Sequence, residues 1–285
     1  AEAAAEPNGR GLLWRIEKEG LEPSFLFGTM HVTDPRVTTL PPEAGRAFDR
    51  ADTVVIETLD MLDDARMTAV LLEAPDLMMF TDGRSLDALI PEPDRAMVEA
   101  ALDKRGLPLS TVKKTKPWIV SALLALPPCE LARESAGLPV LDLKLAADAK
   151  KAGKALEGLE TAREQFDAIT SLSMEFHIEG LVETARLEDR IEDISETMIL
   201  IYRSGELGLF WPFFKAVFPD SGADEGYSAF QHALITVRNR TMAERAVPIL
   251  ERGNAVVAVG ALHLPGKDGI VALLQNMGYS LTTVE

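Results

Sequence analysis

Phe25-Leu26-Phe27-Gly28-Thr29-Met30-His31 and, near the other end, Val256-Val257-Ala258-Val259-Gly260-Ala261-Leu262-His263 share one design. An apolar, strand-like run stops at a glycine, two residues follow, and a histidine stands where the chain leaves the strand. Glycine tolerates the φ > 0 conformations that a β-branched residue resists. The spacing therefore predicts a sharp turn at each glycine and a histidine presented at the strand's C-terminal edge, which is where open α/β sheets bind ligands.

Working outward, Gly11 to Lys18 alternates and is rich in aromatic and branched residues, so it reads as a strand that a turn at Glu19 to Pro23 joins to Ser24 to Phe27 as a hairpin. Pro41 to Ala51 has helical spacing with proline in its first turn. Thr53 to Ile56 is a short, buried-type strand that ends on Glu57. The middle of the chain reads as helical over 63–80, 85–105, 117–126 and 141–151, with a brief strand at Lys154 to Glu157, and again from Thr161 to about Ser204. Ser204 to Gly226, with Trp211-Pro212-Phe213-Phe214, reads as a bend with an aromatic cluster. A helix over 227–252, a strand over 255–259, a helix over 267–277 and a last strand over 280–284 follow. The expected fold class is α/β: a central mixed sheet built from both chain ends, in one domain over residues 8–285, with a mostly helical insertion at about 60–250.

The chain has 285 residues, 47% hydrophobic and 26% charged, a globular composition that argues against disorder. Its 45 acidic against 29 basic side chains give a net charge of −16, which repels phosphate backbones and anionic lipid and argues against nucleic acid as a partner. Cys129 is the only cysteine, so an intrachain disulfide and a cysteine-rich metal site are excluded. Residues 1–7 are small and acidic, as a mature end left by removal of a signal peptide is, and a cloning remnant looks the same. No window approaches the roughly 20 apolar residues of a membrane-spanning helix, so no membrane span is expected.

Two histidines occupy the Gly-x-x-His devices. Neutral imidazole is a common metal ligand, and first-row metals take nitrogen and carboxylate ligands together. If the strands carrying His31 and Glu57 are parallel neighbours, both groups emerge at one edge, where Glu57 serves as ligand or general base. His31, Glu57 and His263 would leave a coordination position open for water, as catalytic metals require. A single Gly-x-x-His has almost no specificity, and each histidine also reads as a hydrogen-bonded loop residue. Glu160 can project to the same edge or serve as an acid in a helix's first turn. Arg238 can reach an anionic substrate or a developing oxyanion, or sit on a solvated face. His177 and His232 lie on charged helical stretches and read as structural or solvated. No phosphate loop, dinucleotide fingerprint or serine-hydrolase elbow is present.

Leu26 to Val32, Val55-Ile56-Glu57-Thr58 and Val257 to Gly266 resemble the two Gly-x-x-His segments and the intervening glutamate of the TraB/PrgY/GumN family, which takes in the Tiki-type Wnt-inactivating proteases. Gly153-Lys154, Gly158-Leu159-Glu160-Thr161 with Gln165, and Arg238 to Ala243 match its pattern too, so the resemblance runs through nearly the whole chain. It is closest to the bacterial GumN-like branch, whose members are often exported, which implies a periplasmic or secreted protein. The resemblance also implies a fold shared distantly with erythromycin-esterase-like and haem-binding ChaN-like proteins, and a divalent-metal hydrolase, most simply a peptidase using a metal-bound water. His31 and His263 would be ligands, Glu57 a ligand or base, and Glu160 and Arg238 supporting or substrate groups. Two imidazoles and a carboxylate suit manganese, cobalt, iron and zinc alike. The partner would be a peptide or small-molecule substrate, and the helical insertion and aromatic cluster suit a homodimer face or a lid. The rival readings are a non-catalytic protein of the cell envelope that sequesters a peptide or haem, and a structural role in envelope assembly with a vestigial site.

Overall fold

Six strands, β1 (Leu13–Glu17), β2 (Ser24–Thr29), β3 (Thr53–Thr58), β4 (Ala155–Glu160), β5 (Ala255–Gly260) and β6 (Ser280–Val284), form one sheet in the order β4-β3-β5-β2-β1-β6. The computed structural model describes residues 6–218 and 223–284, and the strand count is of those residues. Of the acidic terminal segment, residues 1–5 lie outside them. β2, β5, β3 and β4 run parallel in that spatial order, while β1 is antiparallel to both β2 and β6. The sheet is thus mixed and draws strands from both chain ends, with helices inserted between. The short strand expected after Gly153 is longer, Ala155–Glu160, and joins the sheet beside β3, with Thr58 opposite Glu160.

β3 is buried at every position and β5 at every position but Gly260. Parallel strands covered on both faces lose the in-out alternation of half-exposed ones, hence the unbroken runs Val54-Val55-Ile56 and Val256-Val257-Ala258-Val259. Each valine or isoleucine fully buried there contributes roughly 1.5–3 kcal/mol. The core on the sheet collects Phe48, Leu141, Leu145, Tyr202, Met242, Leu250, Ile270 and Leu274 from helices Pro42–Arg50, Leu141–Lys151, Ile191–Ser204, Arg238–Leu250 and Ile270–Asn276. A second apolar cluster, with Leu102, Val120, Leu124 and Leu181, belongs to the inserted helices Glu92–Lys104, Pro117–Ala125 and Met174–Arg186.

Several expected helices are shorter. The one over 63–80 stops at Glu73, before Pro75, and the one over 85–105 is interrupted before a second start at Glu92, where Pro91 disfavours a continuous helix. The run from Thr161 to Ser204 divides into Ala162–Thr170, Met174–Arg186 and Ile191–Ser204, with the Ser173 side chain capping the second of these. Residues 210–217, expected as a bend, are helical, and the Trp211 and Phe214 rings lie 5.9 Å apart.

The structure also corrects the role of the two glycines. Gly28 lies inside β2, Gly260 has φ −51°, and neither is among the glycines with positive φ. They answer to close approach instead. A Cβ on Gly28 would stand 3.2 Å from the Ala261 Cα and the Leu264 Cδ2, and one on Gly260 would stand 3.2 Å from Glu57 Oε1. Gly28→Val therefore overpacks the contact of β2 with the Ala261–Leu264 turn after β5 and is expected to cost about 1–3 kcal/mol, read as a lowered urea midpoint at unchanged slope.

Candidate active site

Because β2, β3, β4 and β5 are parallel, their C-terminal ends share one edge of the sheet, and Glu57, Glu160, His31 and His263 all leave from it. β2 and β3 are parallel, as the shared edge requires, but they are not direct neighbours. β5 lies between them, pairing Phe25 with Val256 on one side and Val55 with Val257 on the other. The carboxylate on β3 therefore meets first the histidine that follows β5.

Glu57 is 6% exposed and Glu160 is 6% exposed. Two buried carboxylates side by side require donors, and Arg238 supplies them. Its Nη2 donates to Glu57 Oε2 and to Glu160 Oε2, each at 2.7 Å, and its Nε donates to Glu160 Oε1 at 3.1 Å. Its Nη1 donates to Leu234 O at 3.3 Å, so the guanidinium is spent largely on the protein. Gln165 Nε2 donates to Glu57 Oε2 at 3.1 Å and to Glu160 Oε2 at 3.3 Å. Gln165 arrives there on a helix that Thr161 and Glu164 start with a capping box. Glu57 Oε1 accepts the Gly260 N–H at 2.7 Å. Burial works to raise the Glu57 pKa, but His263, Arg238, His31 and that N–H together outweigh it and hold it at about 2.

The orientation of His263 follows from its partners. Asn239, fully buried, donates its Nδ2 to Asp268 O at 2.8 Å, so its Oδ1 must be the atom facing His263 Nδ1 at 2.6 Å. An amide oxygen only accepts, so Nδ1 carries the proton and Nε2 presents a lone pair. Burial pushes the His263 pKa down to about 4, against the pull of Glu57, and keeps the ring neutral. Its Nε2 faces Glu57 Oε1 at 3.8 Å.

His31 keeps 54% of its side chain exposed at the rim. Its Nδ1 lies 3.0 Å from Asp142 Oδ2, whose other oxygen accepts from Thr29 Oγ1 at 2.7 Å. The protein atoms around the ring partly strip it of water and work to lower the His31 pKa, but the Asp142 carboxylate and, more weakly, Glu57 outweigh this and raise the pKa to about 9. His177 is held by Ile169 O at 3.1 Å and is structural. Arg240 is exposed and faces Asp268 at 3.8 Å.

The residues fit a divalent cation in their chemistry. His263 turns Nδ1 to an oxygen acceptor and leaves Nε2 with a lone pair, the arrangement typical of metal-ligating imidazoles, while His31 turns Nδ1 to Asp142 and would give up its Nε2 proton to a cation. Between His263 Nε2 and Glu57 Oε1 there is no proton to share, and two ligands each about 2.1 Å from one ion stand roughly 3–4 Å apart. Among the described residues, however, no three His, Cys, Asp or Glu side chains already stand grouped to hold a metal. Asp142 escaped the sequence reading. Its one local signal is an acid between two leucines in the first turn of a helix, and its partners are far away in the chain.

The TraB/PrgY/gumN family profile matches residues 12–283. The chain is 25% identical over 317 residues to "Metalloprotease TIKI2" of Danio rerio, covering 94% of this chain and 60% of that protein. It is 24% identical over 315 residues to "Metalloprotease TIKI1" of Homo sapiens, covering 94% and 61% respectively. It thus spans about three fifths of the length of these relatives. No solved structure matches.

The two histidines are expected to titrate far apart. In metal-free protein, imidazole NMR signals should show His263 neutral down to about pH 4 and His31 charged up to about pH 9, and Asp142→Asn should lower the His31 value. The folded pKa of His263 lies below its unfolded 6.5, so acidification from 6.5 to 4 protonates only the unfolded chain at this site. That costs about 1.4 kcal/mol of stability for each pH unit. Glu57 extends the loss as pH falls from 4.5 to 2. Urea midpoints of wild type and His263→Gln across this range check the sign, since the variant should have the shallower acid limb.

Proposed function

The chain belongs to the TraB/PrgY/gumN family, and on that footing we propose that it is a divalent-metal-dependent hydrolase acting on peptide bonds, with Glu57, His263 and His31 as the metal's ligands. The observation that carries this reading is the buried pair of lone-pair atoms, His263 Nε2 and Glu57 Oε1, facing each other at 3.8 Å. Similarity to proteins named metalloproteases supports it. A bound cation would supply Lewis acidity and lower the pKa of a water molecule toward neutrality.

The chain's own residues prepare that place. Asn239 holds His263 in the tautomer with Nε2 unprotonated, and Asp142 orients the His31 ring from its Nδ1 side, so that a cation at Nε2 would displace the second proton. Arg238 and Gln165 hold Glu57 Oε2, and the Gly260 N–H holds Oε1, so the carboxylate is preset in direction. Glu160, bound along both oxygens by Arg238, acts through Arg238 on Glu57 and leaves the chemistry to other groups. His31, on the exposed rim, is the group a substrate meets first. The substrate is read as a peptide reaching the carboxyl edge of the sheet, in a protein working outside the cytoplasm.

Metal analysis of purified protein is expected to give about one equivalent, lost in His263→Ala and in His31→Ala with the fold retained by circular dichroism. Normal metal content in both variants would refute the reading. Arg238→Gln is expected to weaken metal binding or activity by roughly 10–100-fold. Cleavage of a peptide library, followed by mass spectrometry, should stop on chelation and return with added manganese or cobalt.

A further inference from the structure

Beyond β2 the sheet no longer dictates the path of the chain. The Val32 N–H donates to Met30 O at 2.8 Å, making His31 the middle of a three-residue turn. The next N–H, of Thr33, ends on Oε1 of Glu130, a carboxylate 2% exposed. Glu130 stands on helix Pro128–Ser135 and is the residue that this helix buries; its apolar side chains stay at least partly in water. That helix is therefore docked through a carboxylate where helices are ordinarily docked through an apolar stripe.

The arrangement around Glu130 is complete. Its Oε2 pairs with Arg133 Nη2, one turn on, while Arg133 Nε donates to Thr33 Oγ1 at 2.9 Å and Nη2 faces Asp34 Oδ2 at 3.9 Å. Asp34 accepts from Arg36 N at 2.8 Å, and Arg36 is held by Glu196 through two bonds of 2.7 Å. Alternating charges, Glu130, Arg133, Asp34, Arg36 and Glu196, thus run along the segment that follows His31. A buried carboxylate is costly unless paired, and removing one partner leaves an uncompensated charge.

We propose that Glu130 is a positioning residue for the His31 ligand, fixing the Thr33 N–H so that the turn aims the imidazole into the site. This rests on His31 being a ligand. Asp142 sets the ring from its Nδ1 side, and Glu130 sets the backbone from which the ring projects. The inserted helices therefore, and not the sheet, decide where His31 points.

The test uses Glu130→Leu, which fills the space without an acceptor, and Glu130→Gln, which restores one. In metal-free protein, exchange of the Thr33 amide should accelerate in the leucine variant while β2 amides stay protected. The ring contact of His31 with Asp142, seen by NMR, should be lost with it. Affinity for cobalt(II) should fall about 10–100-fold, with a changed visible spectrum, and the glutamine variant should recover part of both. Unchanged Thr33 exchange overturns the proposal, as does faster exchange with unaltered cobalt affinity and spectrum, since Glu130 would then be only structural. If wild type takes up no cobalt, the proposed metal reading fails by itself. The His31 ring contact then decides the positioning role, and its persistence in the leucine variant overturns it. Should the leucine variant not fold, an unchanged His31 contact and cobalt spectrum in the glutamine variant overturn it.

Discussion

A carboxylate that is withdrawn from water has to be met by charge and by N–H donors, and at the carboxyl edge of this sheet that demand centres on Glu57. Its two oxygens draw Arg238 from one helix, Gln165 from another and the Gly260 N–H from the end of β5. Glu160 shares the same guanidinium, so the ends of β3 and β4 are tied to a single cation, and the end of β5 is joined to them through Glu57. The glycine at 260 is part of this arrangement, because a side chain there would displace Glu57 Oε1. Breaking any one of these bonds leaves a buried charge short of a partner, which costs more than the bond itself is worth in water.

The two histidines are alike in sequence and unlike in setting. His263 is 5% exposed, neutral, and held by an amide that is itself held by a backbone carbonyl. His31 is open to solvent and held by a carboxylate. An amide partner fixes direction without adding charge, whereas an anionic partner fixes direction and makes the imidazole more basic. One position is preset inside the protein and the other stands at its solvent-exposed rim.

Much of this edge was legible. Gly28 to His31 and Gly260 to His263 each end an apolar run, and strand ends are set by local backbone physics, so the common edge followed once the strands were parallel. Pro75 and Pro91 break helices that the reading by periodicity carried through them, by the lost N–H and the restricted preceding residue. The glycines were legible as necessary, but not for the right reason, since a crowded neighbour leaves no trace beside them in the chain. Asp142, beyond its place between two leucines in a helix's first turn, and Glu130 gave no sign of their roles. Their bonds to Thr29 and Thr33 span 113 and 97 residues, and no local pattern distinguishes a buried acid from a solvated one.

The sequence by itself determined the α/β class, the strands contributed by both ends, and the residue types at the carboxyl edge, because periodicity and the conformational limits of glycine and proline act over a few residues. Only the tertiary structure decided that β5 separates β2 from β3, that His263 and not His31 faces Glu57, and that Arg238 is spent on two carboxylates. Those outcomes depend on strand order and on which buried charges find partners, and both are settled by contacts between segments far apart in the chain.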